Sequence, residues 1–254
     1  MSGYGCFARY YDLLTENVGY ARRARYFDAL IRAHRQHTGL LLDLACGTGS
    51  LSLELAALGY EVIGTDGSEE MLSWAMRKSL AAGYNILYLR QPMEELNLYG
   101  TVDVCVCALD SLNHLADEAA LARVITRVAL FLSPGGLFLF DLNTACKHER
   151  ILADNVFFYD LPEVCCVWQN AYQGGEGHRV DIALDFFVPG EKGLYRRESE
   201  RFSERVFAPE EVSEQLRKSG LETLAVYSGD TLEPIQSESQ RAVYVTRKKG
   251  AIAD

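Results

Sequence analysis

The chain has 254 residues, of which 48% are hydrophobic and 24% charged, with a formal net charge of −10. These values exclude a collagen, a coiled coil and a disordered tail, and the length suits one large domain or one domain with an inserted lobe. No run approaches the roughly 18 apolar residues that span a bilayer. The opening Met-Ser-Gly-Tyr-Gly-Cys-Phe-Ala-Arg lacks the apolar core of a signal peptide, so the expectation is a cytoplasmic protein without a membrane partner. Seven cysteines, an odd number with no CxxC pair, indicate buried thiols rather than a disulfide framework or a zinc site. The acidic balance argues against a nucleic-acid partner. One local exception is Arg9, Arg22, Arg23, Arg25, Arg32 and Arg35 against Asp12, Glu16 and Asp28, which leaves the first 35 residues at +3 (six minus three).

The middle of the chain alternates short apolar runs with helical patterns, the signature of βαβ units around a parallel sheet. Leu40–Leu44 reads as a first strand and Ser50–Leu58 as a helix with Leu51, Leu55 and Leu58 on one face. Glu61–Asp66 is a second strand. Glu69–Leu80 is a second helix, with Ser68 as its cap and Glu69 and Glu70 at its positive end. Asn85–Leu89 and Val102–Leu109 follow as strands, and Glu118–Leu132 as a helix. Ser133-Pro134-Gly135-Gly136 reads as a turn before a fifth strand, Leu137–Leu142. From residue 145 to 207 the text changes to β-branched and aromatic residues. Val180, Ile182, Leu184, Phe186 and Val188 alternate as a half-buried antiparallel strand does. The pattern predicts a small antiparallel β lobe over 145–207, inserted into a main domain of residues 1–144 and 208–254. A helix over Pro209–Ser219 and strands near Leu221–Tyr227 and Arg241–Thr246 return to the main sheet. Such a lobe rises from the carboxyl ends of the strands, where open α/β sheets bind ligands.

The strongest chemical signal is Asp43-Leu44-Ala45-Cys46-Gly47-Thr48-Gly49-Ser50. A strand ends in an acid, turns through two glycines that admit close backbone approach, and enters a helix. A dinucleotide fingerprint would place a third glycine where Ser52 stands. A carboxylate at 43 repels a pyrophosphate and suits an ammonium group. Asp66 ends the second strand, where a carboxylate accepts both ribose hydroxyl protons. The two acids around Gly-x-Gly define a nucleoside site; helix capping is the bland reading of either acid alone.

These residues resemble the class I S-adenosylmethionine-dependent methyltransferases, over about residues 5–145 and the two closing strands. Asp43–Gly49 looks like that family's first motif and Gly64-Thr65-Asp66-Gly67-Ser68 its second. Arg90-Gln91-Pro92-Met93 looks like the third, and Leu109-Asp110-Ser111-Leu112-Asn113-His114 the fourth. Phe7-Ala8-Arg9-Tyr10-Tyr11-Asp12 is similar to the N-terminal lid of small-molecule methyltransferases. Among these the chain looks most like stand-alone bacterial enzymes of unassigned substrate, which carry a β insertion after the fifth strand. The resemblance implies an α/β fold, a doubly wound Rossmann-like, mostly parallel sheet with an antiparallel last strand. It implies S-adenosyl-L-methionine as cofactor and S-adenosyl-L-homocysteine as product. The cofactor contacts it implies are Asp43, Ala45, Gly47, Gly49, Asp66, Gly67, Leu109 and Asp110. Met71 and Met93 would sandwich the base, with Pro92 standing where the family often has an acid and Gln91 replacing the lost acceptor. Tyr11, Tyr20 and Arg23 would close over the methionine end, the arginine meeting its carboxylate. A solvent-facing amphipathic helix explains Arg22, Arg23 and Arg25 equally well.

The implied reaction is direct displacement at the sulfonium methyl, in which the protein mainly aligns the partners. His114 is the titratable candidate base at the rim, with a hydrogen-bonded helix-start histidine as its bland alternative. Asp110 and Asn113 would position cofactor or acceptor. Asp141 and Asn143 end the fifth strand at the same rim, and Asn143, Trp168 and Tyr172 are candidates for the acceptor pocket. Aromatics in a small sheet are also ordinary core. His34, His37, His148 and His178 have no metal-ligand spacing and read as surface residues, so no metal is expected. The leading expectation is a methyltransferase for a small-molecule acceptor, working as a monomer or homodimer. Alternatives are RNA or protein methylation, which the basic first 35 residues keep open, a non-catalytic S-adenosylmethionine-binding module, and an NAD-dependent oxidoreductase, which Asp43 and Ser52 disfavour.

Overall fold

The computed structural model describes residues 5–35, 39–175 and 178–250; His37 lies outside them. Two helices precede the sheet, α1 (Gly5–Leu14) and α2 (Tyr20–His34). The first half of the sheet follows as β1 (Leu40–Leu44), α3 (Ser50–Ala57), β2 (Glu61–Asp66), α4 (Glu69–Ala81) and β3 (Leu87–Arg90). The second half is β4 (Val102–Cys107), α5 (Glu118–Phe131) and β5 (Leu132–Asn143). The chain then makes a short turn of helix, α6 (Ala145–Lys147), and four antiparallel strands. These are β6 (Val156–Leu161), β7 (Val164–Gly174), β8 (Arg179–Pro189) and β9 (Tyr195–Glu204). It closes with α7 (Pro209–Lys218), β10 (Leu221–Ser228) and β11 (Arg241–Lys248).

The main sheet has the order β10-β11-β5-β4-β1-β2-β3. β1 to β5 are parallel, and β11 lies antiparallel between β5 and β10. Alternation along each strand feeds two cores. Leu42, Leu44, Cys105, Cys107, Phe138 and Phe140 face α5 and α7, while Leu41, Val104, Val106, Leu137 and Leu139 face α2 and α3. Local chemistry sets the helix starts. The Ser68 hydroxyl accepts from Met71 N–H at 3.2 Å, the Asp117 carboxylate accepts from Ala120 N–H at 2.8 Å, and Pro209 opens α7.

One element departs from the sequence reading. Ser133–Gly136 is not a turn outside the strand but a bulge within β5: Val102 pairs with Leu132, Val104 pairs with Leu137, and the register shifts between them. Gly136 fits there because a Cβ would lie 2.8 Å from the Ser133 carbonyl oxygen and 3.1 Å from that of Asp103.

A third apolar cluster joins the lobe to the N-terminus. Phe7, Ala8, Tyr10 and Leu14 of α1 pack with Val164, Cys166, Val180, Ile182, Leu184 and Phe186 of the lobe, and with Met71 of α4. The lobe's inner face therefore has two jobs, to fill its own core and to seat α1. No described helix is long and apolar enough to cross a membrane.

Candidate active site

The carboxyl ends of β1, β2, β4 and β5 converge on one rim. Asp43 is buried in β1 and its carboxylate accepts from the Ser52 hydroxyl at 2.5 Å. Burial pushes its pKa up to about 7, against the Ser52 bond, which lowers it. Ala45, Leu109 and Asp110 all hold positive φ, at 59°, 60° and 54°. Side chains avoid that region, and three such residues at the ends of neighbouring strands mark a strained, functional rim. Gly49, at φ 73°, is the glycine no other residue replaces: a Cβ there would lie 2.6 Å from the Tyr88 hydroxyl and 2.8 Å from Ala75 Cβ.

Asp66 accepts one backbone N–H on each carboxylate oxygen, Gly47 at 2.9 Å and Ser68 at 2.8 Å. Each oxygen keeps a lone pair for one further donor, which matches the two hydroxyls of a ribose. Burial raises the Asp66 pKa while those backbone donors pull it back. Gly67 follows directly, at an exposed position. Tyr11 and Tyr20 close the site from above. With Asp43, Ala45, Cys46, Gly47, Thr48 and Leu109 they wall a cavity of about 30 Å³, the room of roughly one water. A larger hollow of about 420 Å³, lined by Arg9, Tyr10, Trp74, Pro162 and Pro189, lies between α1, α4 and the loops of the lobe and contains none of the rim acids.

A clamp that sequence reading missed fixes α1 over the glycine turn. Lys78 donates to Asp12 (2.7 Å), Thr48 (3.0 Å) and Ser50 (2.6 Å), and Thr48 and Ser50 donate to the same Asp12 carboxylate. Asp12 ends the Phe7–Asp12 stretch, but its pairing with hydroxyls 36 and 38 positions away has no local sequence signal. The second missed group is Arg241, which opens β11 and pairs with Asp110 at 2.7 Å and with Asp141. A lone arginine before the apolar run Ala242–Val245 gives that role no sequence signature.

Several of the expected residues have partners within the protein. Arg23 is buried rather than solvent-facing, and its guanidinium pairs with Asp141 at 2.9 Å and Asp230 at 3.2 Å. Gln91 spends both ends of its amide on the Asn97 backbone, each at 2.9 Å, closing its own loop. The Asn113 amide is likewise consumed: it donates to the Arg205 and Asn143 carbonyls and accepts from Asn143 N–H, tying the β4 loop to β5 and to the end of the lobe. His148 is not a surface residue but fully buried. Met71 and Met93 sit in different apolar surroundings, Met71 under α1 and the lobe, Met93 against the α5 core beside Cys107. In the lobe, Trp168 donates to Asn170 at 2.6 Å and Tyr172 bonds His178 at 2.6 Å; both belong to the inner apolar face.

Where lobe and rim meet, His114 packs its ring 5.3 Å from that of Phe202, with Nε2 at 4.0 Å from Glu204 Oε1. Glu204 is buried at the end of β9. Its other oxygen accepts from Asn143 at 3.0 Å and lies 3.5 Å from His148 Nε2. Asn143 also accepts from Lys147 at 2.9 Å. Asp110 is half-buried. Burial alone would raise its pKa, but Arg241, Lys147 and His114 hold it well below the usual carboxylate range.

Two acids at the ends of adjacent parallel strands, a strained glycine turn between them and a lid of tyrosines define a nucleoside-binding enzyme of the doubly wound class. Residues 41–136 match the model of the methyltransferase domain family. YqeM of Bacillus subtilis, whose name places it among methyltransferases without a substrate, is 33% identical over 98% of this chain and 98% of its own. The crystal structure of an S-adenosylmethionine-dependent methyltransferase from Clostridium acetobutylicum superposes with a TM-score of 0.86 at 28% identity, covering 97% of this chain and 99% of that one. A Streptomyces fradiae enzyme, dTDP-3-amino-3,6-dideoxy-alpha-D-glucopyranose N,N-dimethyltransferase, is 32% identical over 54% of this chain and 53% of its own. The chain belongs to the S-adenosylmethionine-dependent methyltransferases. Its residues fit that cofactor: a buried carboxyl in need of a cation at Asp43, and paired acceptors at Asp66.

Proposed function

We propose that the enzyme methylates an amine on a small molecule held between the sheet rim and the β lobe. The observation that carries the reading is the junction itself. The lobe's last strand turns Glu198, Glu200, Phe202 and Glu204 toward the same side as its apolar core, and Glu204 stands beside His114. Glu198 pairs with Arg196 and Glu200 accepts from the Phe7 N–H at 2.7 Å, so it is Glu204, with the Phe202 ring packed on His114, that suits a cationic acceptor. The Streptomyces fradiae relative, whose name puts its methyl groups on the nitrogen of an amino sugar, supports the same class.

In this reading Asp43 receives the cofactor's ammonium group, Asp66 receives the ribose hydroxyls, and Tyr11 and Tyr20 exclude water above the turn. Bound S-adenosylmethionine would supply an electrophilic methyl carbon on cationic sulfur for a neutral acceptor nitrogen. His114 takes the surplus proton of the acceptor ammonium. RNA methylation is the weaker reading: three of the six arginines of the basic stretch, Arg23, Arg32 and Arg35, are paired with Asp141 and Asp230, Asp28, and Asp103.

The test is transfer of labelled methyl from S-adenosylmethionine into cell extract fractionated into metabolites, RNA and protein. Label is expected in amine-bearing metabolites, and His114→Ala should slow it by about 10²-fold or more. Label confined to RNA or protein, or an undiminished His114→Ala rate, would overturn the reading.

A further inference from the structure

We infer that Glu204, a residue of the lobe and not of the nucleoside-binding sheet, is the positioning residue for His114: it fixes which ring nitrogen carries the hydrogen and stabilises the imidazolium formed when the proton arrives. This rests on the reading of His114 as the base.

The geometry has three parts. First, Glu204 is buried and rigidly held, with Oε2 engaged by Asn143 at 3.0 Å and facing His148 Nε2 at 3.5 Å. A carboxylate anchored on one oxygen presents the other in a fixed direction. That other oxygen, Oε1, is the one facing His114 Nε2, at 4.0 Å. The contact is an ion-pair distance rather than a hydrogen bond, and such contacts tighten when substrate is in place. Second, His114 Nδ1 is buried and has no hydrogen-bond partner among the described residues. Nothing there competes for the tautomer, so the carboxylate at Nε2 decides it: hydrogen on Nε2 toward Glu204, lone pair on Nδ1. Third, Phe202, two residues earlier on the same strand, packs its ring on His114 and limits the ring's rotation.

The charged groups that face His114 are Glu204 from β9, Asp110 from its own loop and Asp66 from β2; Lys147 and Arg241 act on Asp110. Only Glu204 comes from the lobe. Asn113, which ties the end of the lobe to the rim through Arg205, holds the strand that brings Glu204 in. A base assembled this way is competent only when the lobe is seated, so a proton acceptor is not exposed to water on an open rim.

The experiment is histidine-labelled NMR of the full chain saturated with S-adenosylhomocysteine, with His114→Ala used to assign the resonance. In the wild type the neutral His114 ring is expected to carry its hydrogen on Nε2. In Glu204→Gln, whose amide oxygen still accepts from Asn143, the single tautomer is expected to become a mixture. Hydrogen on Nδ1 in the wild type, or the same single tautomer in both proteins, overturns the inference; the wild-type spectrum decides even if the variant does not fold. A failure of the base reading shows separately, as His114→Ala transferring methyl at the wild-type rate.

Discussion

Asp43 stands in a place hostile to its own charge. Burial raises its pKa to about 7, whereas in the unfolded chain a carboxyl titrates near ~3.9. Between those values the folded protein holds a proton that the unfolded chain has lost. The stability from this group is therefore fully present below about pH 4 and is lost as pH rises through 7. The neutral Asp43→Asn variant, which still accepts from Ser52, should be the more stable protein at pH 8, by up to a few kcal/mol. Cofactor affinity should behave oppositely. An arriving ammonium group requires the ionised carboxyl, so calorimetry with S-adenosylmethionine should show wild-type affinity falling, toward a limit of about tenfold per unit, as pH drops from 7 to 5.5. The same slope in Asp43→Asn would disprove the ammonium assignment. Asp43 and Asp66 were legible in the sequence because each ends an apolar strand at a fixed distance from Gly-x-Gly. The partners that Arg23, Gln91 and Asn113 hold within the protein were not legible: a polar group at a rim satisfies its neighbours, and those neighbours, Asp141, Asn97 and Arg205, follow only from the fold.

At the scale of elements, α1 is the part that must move. A cavity of about 30 Å³ beneath Tyr11 and Tyr20 is far smaller than the ~300 Å³ or more of ordinary ligand pockets. Cofactor entry therefore requires α1 and the turn after it to lift, and the Asp12–Lys78–Thr48–Ser50 network is what resists. The pair is partly solvated, so its net worth is small, about 1 kcal/mol. Asp12→Ala should accordingly leave global stability near the wild type while speeding S-adenosylhomocysteine release several-fold in stopped-flow measurements. An unchanged release rate would mean that α1 is not the gate. The strands and helices of the nucleoside half were legible because their apolar periods are strong and the cap Ser68 is chemically distinctive. The bulge at Ser133–Gly136 was not, because a Pro-Gly-Gly run looks the same in a turn and inside a shifted strand.

Across the whole molecule, the lid and the lobe are one apolar body. Phe186 of β8 stacks 5.9 Å from Tyr10 and lies 6.3 Å from Phe7. Phe186→Ala should cost about 3–5 kcal/mol in denaturant unfolding, and amide exchange in α1 should accelerate along with that in the lobe; an α1 that stays protected would show the two to be independent. The alternation of β8 made the lobe's core readable, but its second role, as a seat for α1, depends on contacts between residues nearly 180 positions apart. The same long reach has a consequence for how the enzyme is made. β11, made after every other described strand, slots between β5 and β10, and its first residue, Arg241, neutralises Asp110 and Asp141. On the ribosome, a nascent chain stopped short of Arg241 leaves Asp110 without its arginine and Asp141 with Arg23 alone. Completion of the rim's charge balance is thus tied to the docking of β11, which follows every other described strand in chain order.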